Sequence, residues 1–247
     1  MDLDWVPLVA TQRALYDMPR GGARFKEYLR VLRDRTGDLE LPLAEMNPMG
    51  HDHIPALLDQ LTAIAAEDVG EAAMRDAAGA TTDVAGRFRM GIVIADDLRG
   101  LWTDRVATEF GVRFESRPYD RRGWLVTQLW SSEAVSAELV REQTLVSVHR
   151  AAHILRHGYA GTLGDMLNQE GQAMAAAGCR EPSLEPDDLD YTRRVVGPLR
   201  DARDRQTVIA CLFGDGAARR LGYRPHGLSA RAGLALALAD ARDRIAS

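Results

Sequence analysis

The segment RFRMGIVIADD, residues 87–97, decides the fold of this chain. Its centre is a run of apolar and β-branched residues, and two acids, Asp96 and Asp97, end it. That pattern predicts a buried β-strand. The next residues, LWTDRVATEFGVRF (101–114), have the spacing of an amphipathic helix. A buried strand that leads into a helix is typical of an α/β layer with parallel strands.

Two other segments show the same order of strand, turn and helix. DLELPL (38–43) alternates in hydrophobicity, and GWLVTQLW (123–130) is rich in aromatic and apolar residues. The helical patterns that follow them are IPALLDQLTAIAAEDV (54–69) and AVSAELVREQTLVSVHRAAHILRHG (134–158). We therefore predict an α/β (or α+β) fold with a small, mostly parallel sheet of about three or more strands, covered by helices.

Strand patterns stop after residue 158, and the rest of the chain has a helical pattern. Thr162 is a candidate N-cap for the first of these helices. Further helices are predicted around 188–200, 205–221 and 229–246. We predict two parts: 1–160, an α/β part that carries the candidate site, and 161–247, a helical part packed on the same core.

The composition is that of an ordinary globular protein and argues against several classes. A net charge of −5 over 247 residues does not suit a general nucleic-acid binder, which needs a basic face. No apolar run approaches the length of a membrane span, and the acidic start MDLDWVPLVA differs from a signal peptide. Cys179 and Cys211 are isolated, as buried free thiols would be. We expect a cytoplasmic protein without nucleic-acid or membrane partners.

Lysine is almost absent, since Lys26 is the only lysine among 31 basic residues. It lies in the amphipathic stretch RFKEYLRVLRD and not in a glycine-rich loop. A pyridoxal-phosphate enzyme needs a Schiff-base lysine, and a P-loop NTPase needs a lysine in its phosphate loop. The sequence argues against both classes.

Polar side chains follow each of the three predicted strands. In an open α/β sheet, ligands usually bind beyond the carboxyl ends of the strands. If the strands are parallel neighbours, these loops bring acids, imidazoles, an arginine and an aromatic ring to one rim. The positions are Asn47, His51 and His53 after the first strand, Asp96, Asp97, Trp102 and Arg105 after the second, and Ser131, Ser132 and Glu133 after the third.

The turn NPMGHDH (47–53) lies just before a predicted helix and has two interpretations. The free N–H groups and the dipole of that helix favour an anion near 50–54, with His51 and His53 lining its site. Alternatively, Asp52 or His53 simply caps the helix.

Two other pairs of charged residues are equally open. Asp96 and Asp97 can act as a general base or bind an amine, or they can cap the helix that starts near residue 100. Arg121 and Arg122 can bind a carboxylate or sulfate, or they can belong to a solvated turn.

His149, His153 and His157 are spaced to form one stripe along a helix. Histidines at positions i and i+4 can bind a metal if further ligands are available, and His51, His53 or an acid would have to supply them. The alternatives are a substrate-facing base and a row of partly buried, hydrogen-bonded histidines.

Four stretches taken together resemble a family of actinobacterial enzymes: LYDMPRG…RF..YL, LPLAEMNPMGHDH..ALLD, VIADDLRGLWTDR.ATEF and RRGWLVTQLW. Over most of residues 14–240 the chain is similar to the aziridine-forming, sulfate-eliminating enzymes of azinomycin and vazabitide biosynthesis. The resemblance implies a cyclase of antibiotic biosynthesis that needs no cofactor: a substrate amine attacks the neighbouring carbon and expels sulfate. It also implies a heteromeric complex with a second subunit, and a substrate carried on an amino-group carrier protein.

We therefore expect a cofactor-independent small-molecule enzyme of secondary metabolism, whose substrate has an amine and an anionic leaving group. The expected catalytic residues are Asp96, Asp97, His51 and His53. The expected substrate-binding residues are Asn47, Trp102, Arg105, Arg121, Arg122, His149 and His153, and no metal site is expected. The alternatives are a metal-dependent enzyme that uses His149 and His153, and a non-catalytic binding subunit that completes the active site of a partner.

Overall fold

The computed structural model describes residues 1–38, 40–98, 102–115 and 122–246. The chain divides into two compact units. The first comprises Met1–Thr108 and Ser116–Val148, and the second comprises Glu109–Glu115 and His149–Ser247. The domain boundary after residue 160 stays a prediction.

The first unit contains a three-stranded sheet in which all strands are parallel. β1 (Asp2–Trp5) pairs with β2 (Arg87–Ala95), and β2 pairs with β3 (Trp124–Trp130), so the order is β1-β2-β3. In this register Val93 lies opposite Gln128. The strands predicted within 87–97 and 123–130 are confirmed as parallel neighbours, and the α/β class is confirmed with them.

The strand predicted at 38–43 is wrong, because no described residue of that segment belongs to a strand. Pro42 has no N–H to donate to a neighbouring strand, which disfavours sheet pairing there. The remaining strand is β1, in which Asp2 and Asp4 are exposed while Leu3 and Trp5 are partly buried. An alternation over only four residues is a weak signal in a sequence.

Helices surround the sheet in the first unit. They are α1 (Val9–Leu15), α2 (Gly22–Leu32), α3 (His53–Ala63) and α4 (Ala66–Gly79), with the first parts of α5 (Arg105–Phe114) and α6 (Ala137–His157). The helix predicted over 54–69 is divided into α3 and α4. Ala65 lies at the division and has a left-handed φ of 51°, which does not fit a continuous α-helix.

The two faces of the sheet pack into separate apolar clusters. On one face, Ile92 and Ile94 of β2 share a buried cluster with Leu58 and other residues of α3. On the other face, Val93 and Trp124 share a cluster with residues of α1 and α2. Successive side chains of a strand point to opposite faces, so consecutive residues at the end of β2 are directed to different sides.

The second unit is helical over its described residues. Besides the last parts of α5 and α6, it contains α7 (Leu163–Ala176), α8 (Pro186–Val196), a short 3₁₀ helix (Gly197–Leu199), α9 (Arg205–Phe213), α10 (Asp215–Arg220) and α11 (Ala232–Ala246). Thr162 caps α7, because its side chain accepts the N–H of Asp165 and the Asp165 side chain accepts the N–H of Thr162. The N-cap predicted at Thr162 is confirmed.

Several predicted helices are shorter than expected. The helix predicted over 205–221 is divided into α9 and α10 at Gly214, which has a φ of 83°. A Cβ at this position would lie 2.0 Å from the carbonyl oxygen of Ser229, so only glycine fits the close approach of the two backbones.

Within the described residues, no helix combines the length and the apolar composition that crossing a membrane requires.

Candidate active site

The loops after β2 and β3 meet at the carboxyl end of the sheet, within the first unit. Asp96 and Asp97 directly follow β2, and Ser131 directly follows β3. The Ser131 hydroxyl oxygen lies 2.9 Å from Oδ1 of Asp96 and 3.2 Å from Oδ1 of Asp97. It also accepts the backbone N–H of Asp97 at 3.1 Å. One serine therefore links the two acids, as the pairing of parallel neighbours allows.

Asp96 is a buried carboxylate held from both sides. Its Oδ1 accepts a hydrogen bond from Nε2 of His53 at 2.9 Å, and its Oδ2 accepts one from Nδ2 of Asn47 at 2.8 Å. The backbone N–H of Leu98 adds a longer contact of 3.3 Å to Oδ1. The Asp96 side chain is fully buried, with a relative accessibility of 0%.

The electrostatic balance keeps Asp96 ionised. Burial alone would raise the pKa of Asp96, but the hydrogen bonds from His53, Asn47 and Ser131 outweigh burial and lower the pKa. A carboxylate at neutral pH can only accept hydrogen bonds. The imidazole of His53 must therefore present a proton on Nε2.

The other ring nitrogen of His53 is the most informative atom of the site. His53 is the first residue of α3, and its side chain is 18% exposed. Its Nδ1 atom is buried and has no hydrogen-bond partner among the described residues. When Nε2 carries the proton, the neutral imidazole has a lone pair on Nδ1. In this form, the lone pair of Nδ1 has no hydrogen-bond partner among the described residues.

The interpretation of the turn as a simple helix cap is wrong. Asp52 precedes α3, but its side chain makes no capping hydrogen bond. The His53 side chain contacts Asp96 instead of the free backbone N–H groups of the helix. The negative group that lies beside the first residue of α3 is the carboxylate of Asp96. His51 is exposed and takes no part in these hydrogen bonds.

Asp97 belongs to a second, more accessible group at the same rim. Its Oδ1 accepts the backbone N–H of Ser132 at 2.9 Å, and its Oδ2 accepts the Ser132 hydroxyl at 2.7 Å. Arg105 lies 3.4 Å from Asp97, also pairs with Glu133, and stacks with its guanidinium carbon 5.0 Å from the Trp130 ring centre. Two carboxylates therefore already neutralise Arg105.

Asp96 and Asp97 do not cap the helix after them. α5 begins at Arg105, and the side chain of Asp104 accepts the backbone N–H of Ala107 at 2.9 Å. The Thr103 hydroxyl donates to the backbone carbonyl of Asp96 at 2.5 Å. Asp104 therefore caps α5, and the side chains of Asp96 and Asp97 belong to the site at the carboxyl end of the sheet.

Two further predicted residues, Trp102 and Arg122, lie apart from these hydrogen bonds. Trp102 is 39% exposed, so it is not a core residue. Arg122 lies 3.6 Å from Asp38, and both side chains are exposed. Arg121 lies outside the described residues.

The histidine stripe belongs to the second unit. The ring centres of His153 and His157 are 4.6 Å apart. Burial lowers the pKa of His149 and of His153, and the nearby charge of Arg156 adds to the effect at both. Across the described ranges, no group of three or more His, Cys, Asp or Glu side chains is arranged to hold a metal ion. Among the described residues, His149 and His153 therefore lack the further ligands that the metal-dependent alternative requires.

Two polar residues of the first unit, Tyr16 and Gln128, were not among the predicted site residues. The hydroxyl of Tyr16 donates to the backbone carbonyl of Asn47 at 2.5 Å, although the two residues are far apart in the chain. Gln128 is only 9% exposed, and its Nε2 has no hydrogen-bond partner among the described residues. A glutamine inside the apolar strand GWLVTQLW is a signal that could have been noticed, whereas nothing in the sequence marks Tyr16.

Comparison with known proteins adds no relative to this picture. No protein-family model, no curated protein and no solved structure matches the chain. The geometry of Asp96, His53 and their neighbours is therefore the basis for the chemistry of the site.

Proposed function

We propose that this chain is a small-molecule enzyme in which His53 is the general base and Asp96 orients it. One observation carries the proposal: Nδ1 of His53 is buried and has no partner among the described residues, while Nε2 is bound to an ionised carboxylate. Histidine is the most frequent general base of enzymes, and a carboxylate on its second nitrogen fixes the tautomer and the ring orientation.

The proton transfer follows from this arrangement. Nδ1 takes a proton from an acidic N–H, O–H or C–H group of the substrate and gives it up to solvent or to the leaving group at the end of the turnover. Asp96 stays ionised and stabilises the imidazolium that forms, as the buried aspartate does in serine hydrolases. Because Nδ1 is covered, the substrate has to displace a neighbouring group to reach it, and water is excluded from the base until then.

The charges around the site favour an amine substrate. Asp96, Asp97 and Glu133 are anions in or next to the group, and Arg105 pairs with two of them. The excess of carboxylates attracts a protonated amine, which His53 then deprotonates. An amine without its proton is the nucleophile that aziridine closure needs, so we propose this reaction as the specific activity. Release of Arg105 from Glu133 would provide a donor for the departing sulfate.

The resemblance adds three proposals about the setting of this reaction: the substrate is carried on an amino-group carrier protein, a second subunit takes part, and no cofactor is needed. The composition of the chain adds a fourth, that the complex works in the cytoplasm. A cytoplasmic location agrees with two buried cysteines that form no disulfide, Cys179 and Cys211.

Release of inorganic sulfate from a vicinal amino-sulfate substrate tests the proposal. We expect His53→Gln and Asp96→Asn to lower turnover about 10²–10⁴-fold, the usual contribution of a general base. The amide in Asp96→Asn can donate to Nε2, which moves the imidazole proton onto Nδ1 and removes the base. Asp52→Asn is the matched control, because Asp52 lies in the same turn and is exposed.

The outcomes separate the parts of the proposal. No release of sulfate by the wild type contradicts aziridine closure. Equal turnover of the wild type and His53→Gln contradicts the role of His53 and supports a binding subunit whose partner performs the chemistry.

A further inference from the structure

We infer that Tyr16 is a positioning residue of this site, which acts on His53 through Asn47 and Asp96. The inference rests on the proposed role of His53 as a base. Its basis is a continuous series of hydrogen bonds, all within the first unit. The series begins at the end of α1 and finishes at the imidazole.

Asn47 is the central residue of the series because every polar group of its side chain is used. The backbone carbonyl oxygen of Asn47 accepts hydrogen bonds from the Tyr16 hydroxyl at 2.5 Å and from the N–H of Gly50 at 3.0 Å. Its Oδ1 accepts the N–H of Met49 at 3.0 Å, and its Nδ2 donates to Oδ2 of Asp96 at 2.8 Å. Asn47 is thus fixed within its own turn, and its amide is aimed at one carboxylate.

Tyr16 is itself held in place. The guanidinium of Arg24 lies over its ring, 5.0 Å from the centre. A Cβ on Gly50 would lie 3.2 Å from the Tyr16 hydroxyl, so the turn packs closely on that oxygen. Burial, and after it the charge of Asp96, raises the pKa of Tyr16, so the phenol remains a donor at neutral pH.

The consequence for His53 is geometric. Asp96 can keep Oδ1 towards His53 only while Oδ2 stays with Asn47, because rotation of the carboxylate changes both bonds together. Loss of the Tyr16 hydroxyl removes one of the two hydrogen bonds on the backbone carbonyl of Asn47, leaves only the bond from Gly50 within the turn, and allows the turn to shift. The bond from Nε2 to Asp96 then weakens, and the orientation of Nδ1 is no longer fixed.

The same unit offers a matched control in Tyr28. Its hydroxyl donates to the backbone carbonyl of Leu43 at 3.0 Å, and the residue is buried. Tyr28→Phe therefore removes the same kind of hydrogen bond from the same connection between α2 and α3. It leaves the bonds of Asn47 and Asp96 in place.

Proton NMR of the full chain tests the inference without any substrate. An imidazole N–H bound to a buried carboxylate gives a downfield, slowly exchanging resonance, which His53→Gln assigns by removing it. We expect Tyr16→Phe to speed exchange of this proton about fivefold or more, the ratio that corresponds to a net hydrogen bond of about 1 kcal/mol. Tyr28→Phe should leave the exchange rate within about twofold, even if both variants lower the melting temperature alike.

Equal exchange in the wild type and Tyr16→Phe overturns the inference, and so does equal acceleration by both tyrosine variants. Neither result depends on turnover. If His53→Gln leaves turnover unchanged while the resonance responds to Tyr16→Phe, the proposed function fails and the positioning effect stands as a structural one.

Discussion

Two buried carboxylates, Asp96 in the first unit and Glu170 in the second, share their burial and a lowered pKa. They differ in the groups that bind them. Neither side chain has exposed surface, and the pKa of each is lowered although burial opposes ionisation. Glu170 binds Arg150, Arg113 and Gln169. Asp96 binds a serine, an amide and a histidine whose second nitrogen has no partner in the described chain.

The Glu170 network is closed. Arg150 holds both oxygens of Glu170, at 2.7 and 2.9 Å, and Arg113 connects Glu170 with Glu109. Arg231 then contacts both oxygens of Glu109, at 2.8 and 3.0 Å. Apart from the bond from the Gln169 amide, every bond of this network joins opposite charges, as in structural ion-pair networks. A lowered pKa alone therefore does not identify a functional site, and the unpaired nitrogen of His53 is the feature that separates the two regions.

The largest effect is expected on stability, from Glu170→Ala. Removal of this carboxylate leaves Arg113 and Arg150 buried without their shared partner, which should lower the free energy of unfolding by about 3–5 kcal/mol. Asp96→Asn should cost less, about 1–3 kcal/mol, because it leaves polar neighbours and not buried cations. Urea unfolding of both variants measures the difference. A smaller loss for Glu170→Ala than for Asp96→Asn would reverse the comparison.

The pH dependence of stability should also be dominated by the second unit. The charges of the neighbouring arginines overcome burial and lower the pKa of Glu170 and of Glu109 from 4.5 to about 2. A carboxyl whose pKa is lower in the folded state stabilises the fold above about pH 4.5, and that contribution is lost as pH falls towards about 2. We expect a loss on the order of 3 kcal/mol per group over this window.

Unfolding midpoints in urea between about pH 6 and about pH 2, a range that includes the ordinary glutamate pKa of 4.5 and reaches the lowered value of about 2, provide the measurement. Glu170→Gln should show a shallower decline than the wild type. Identical slopes would mean that Glu170 titrates alike in the folded and unfolded states.

The smallest effect is expected from Arg231→Ala. This side chain is one-third exposed, and Glu109 keeps its bond to Arg113 without it. Solvent screening limits such a pair to about 1 kcal/mol in the free energy of unfolding. The same urea experiment applies, with Glu170→Ala beside it. A loss as large as that of Glu170→Ala would show that the network acts as one unit.

The parts of the fold that follow from local pattern were predictable. The β-branched centre of β2 and the apolar residues of β3 marked both strands, and Thr162 marked the start of α7. β1 was missed because four residues with two aspartates carry little periodicity. The strand predicted at 38–43 failed because alternation outweighed Pro42 in the prediction, whereas the missing N–H decides in the structure.

The candidate site was predictable in place but not in detail. Asp96 and Asp97 were expected at the rim because ligands bind beyond the carboxyl ends of parallel strands. The bond between His53 and Asp96 joins residues of different elements, and no local pattern encodes it. The same holds for Tyr16 and Asn47, since their contact depends on how α1 packs beside the turn.

The pairing of β1 with β2 also has a consequence for biosynthesis. Asp2 lies opposite Arg87, so β1 leaves the ribosome well before its neighbour β2, which begins about 85 residues later. At about 5–20 residues per second, that delay is about 4–17 s. During this time Leu3 and Trp5 have no neighbouring strand to pair with. Expression conditions that slow translation would lengthen this exposure.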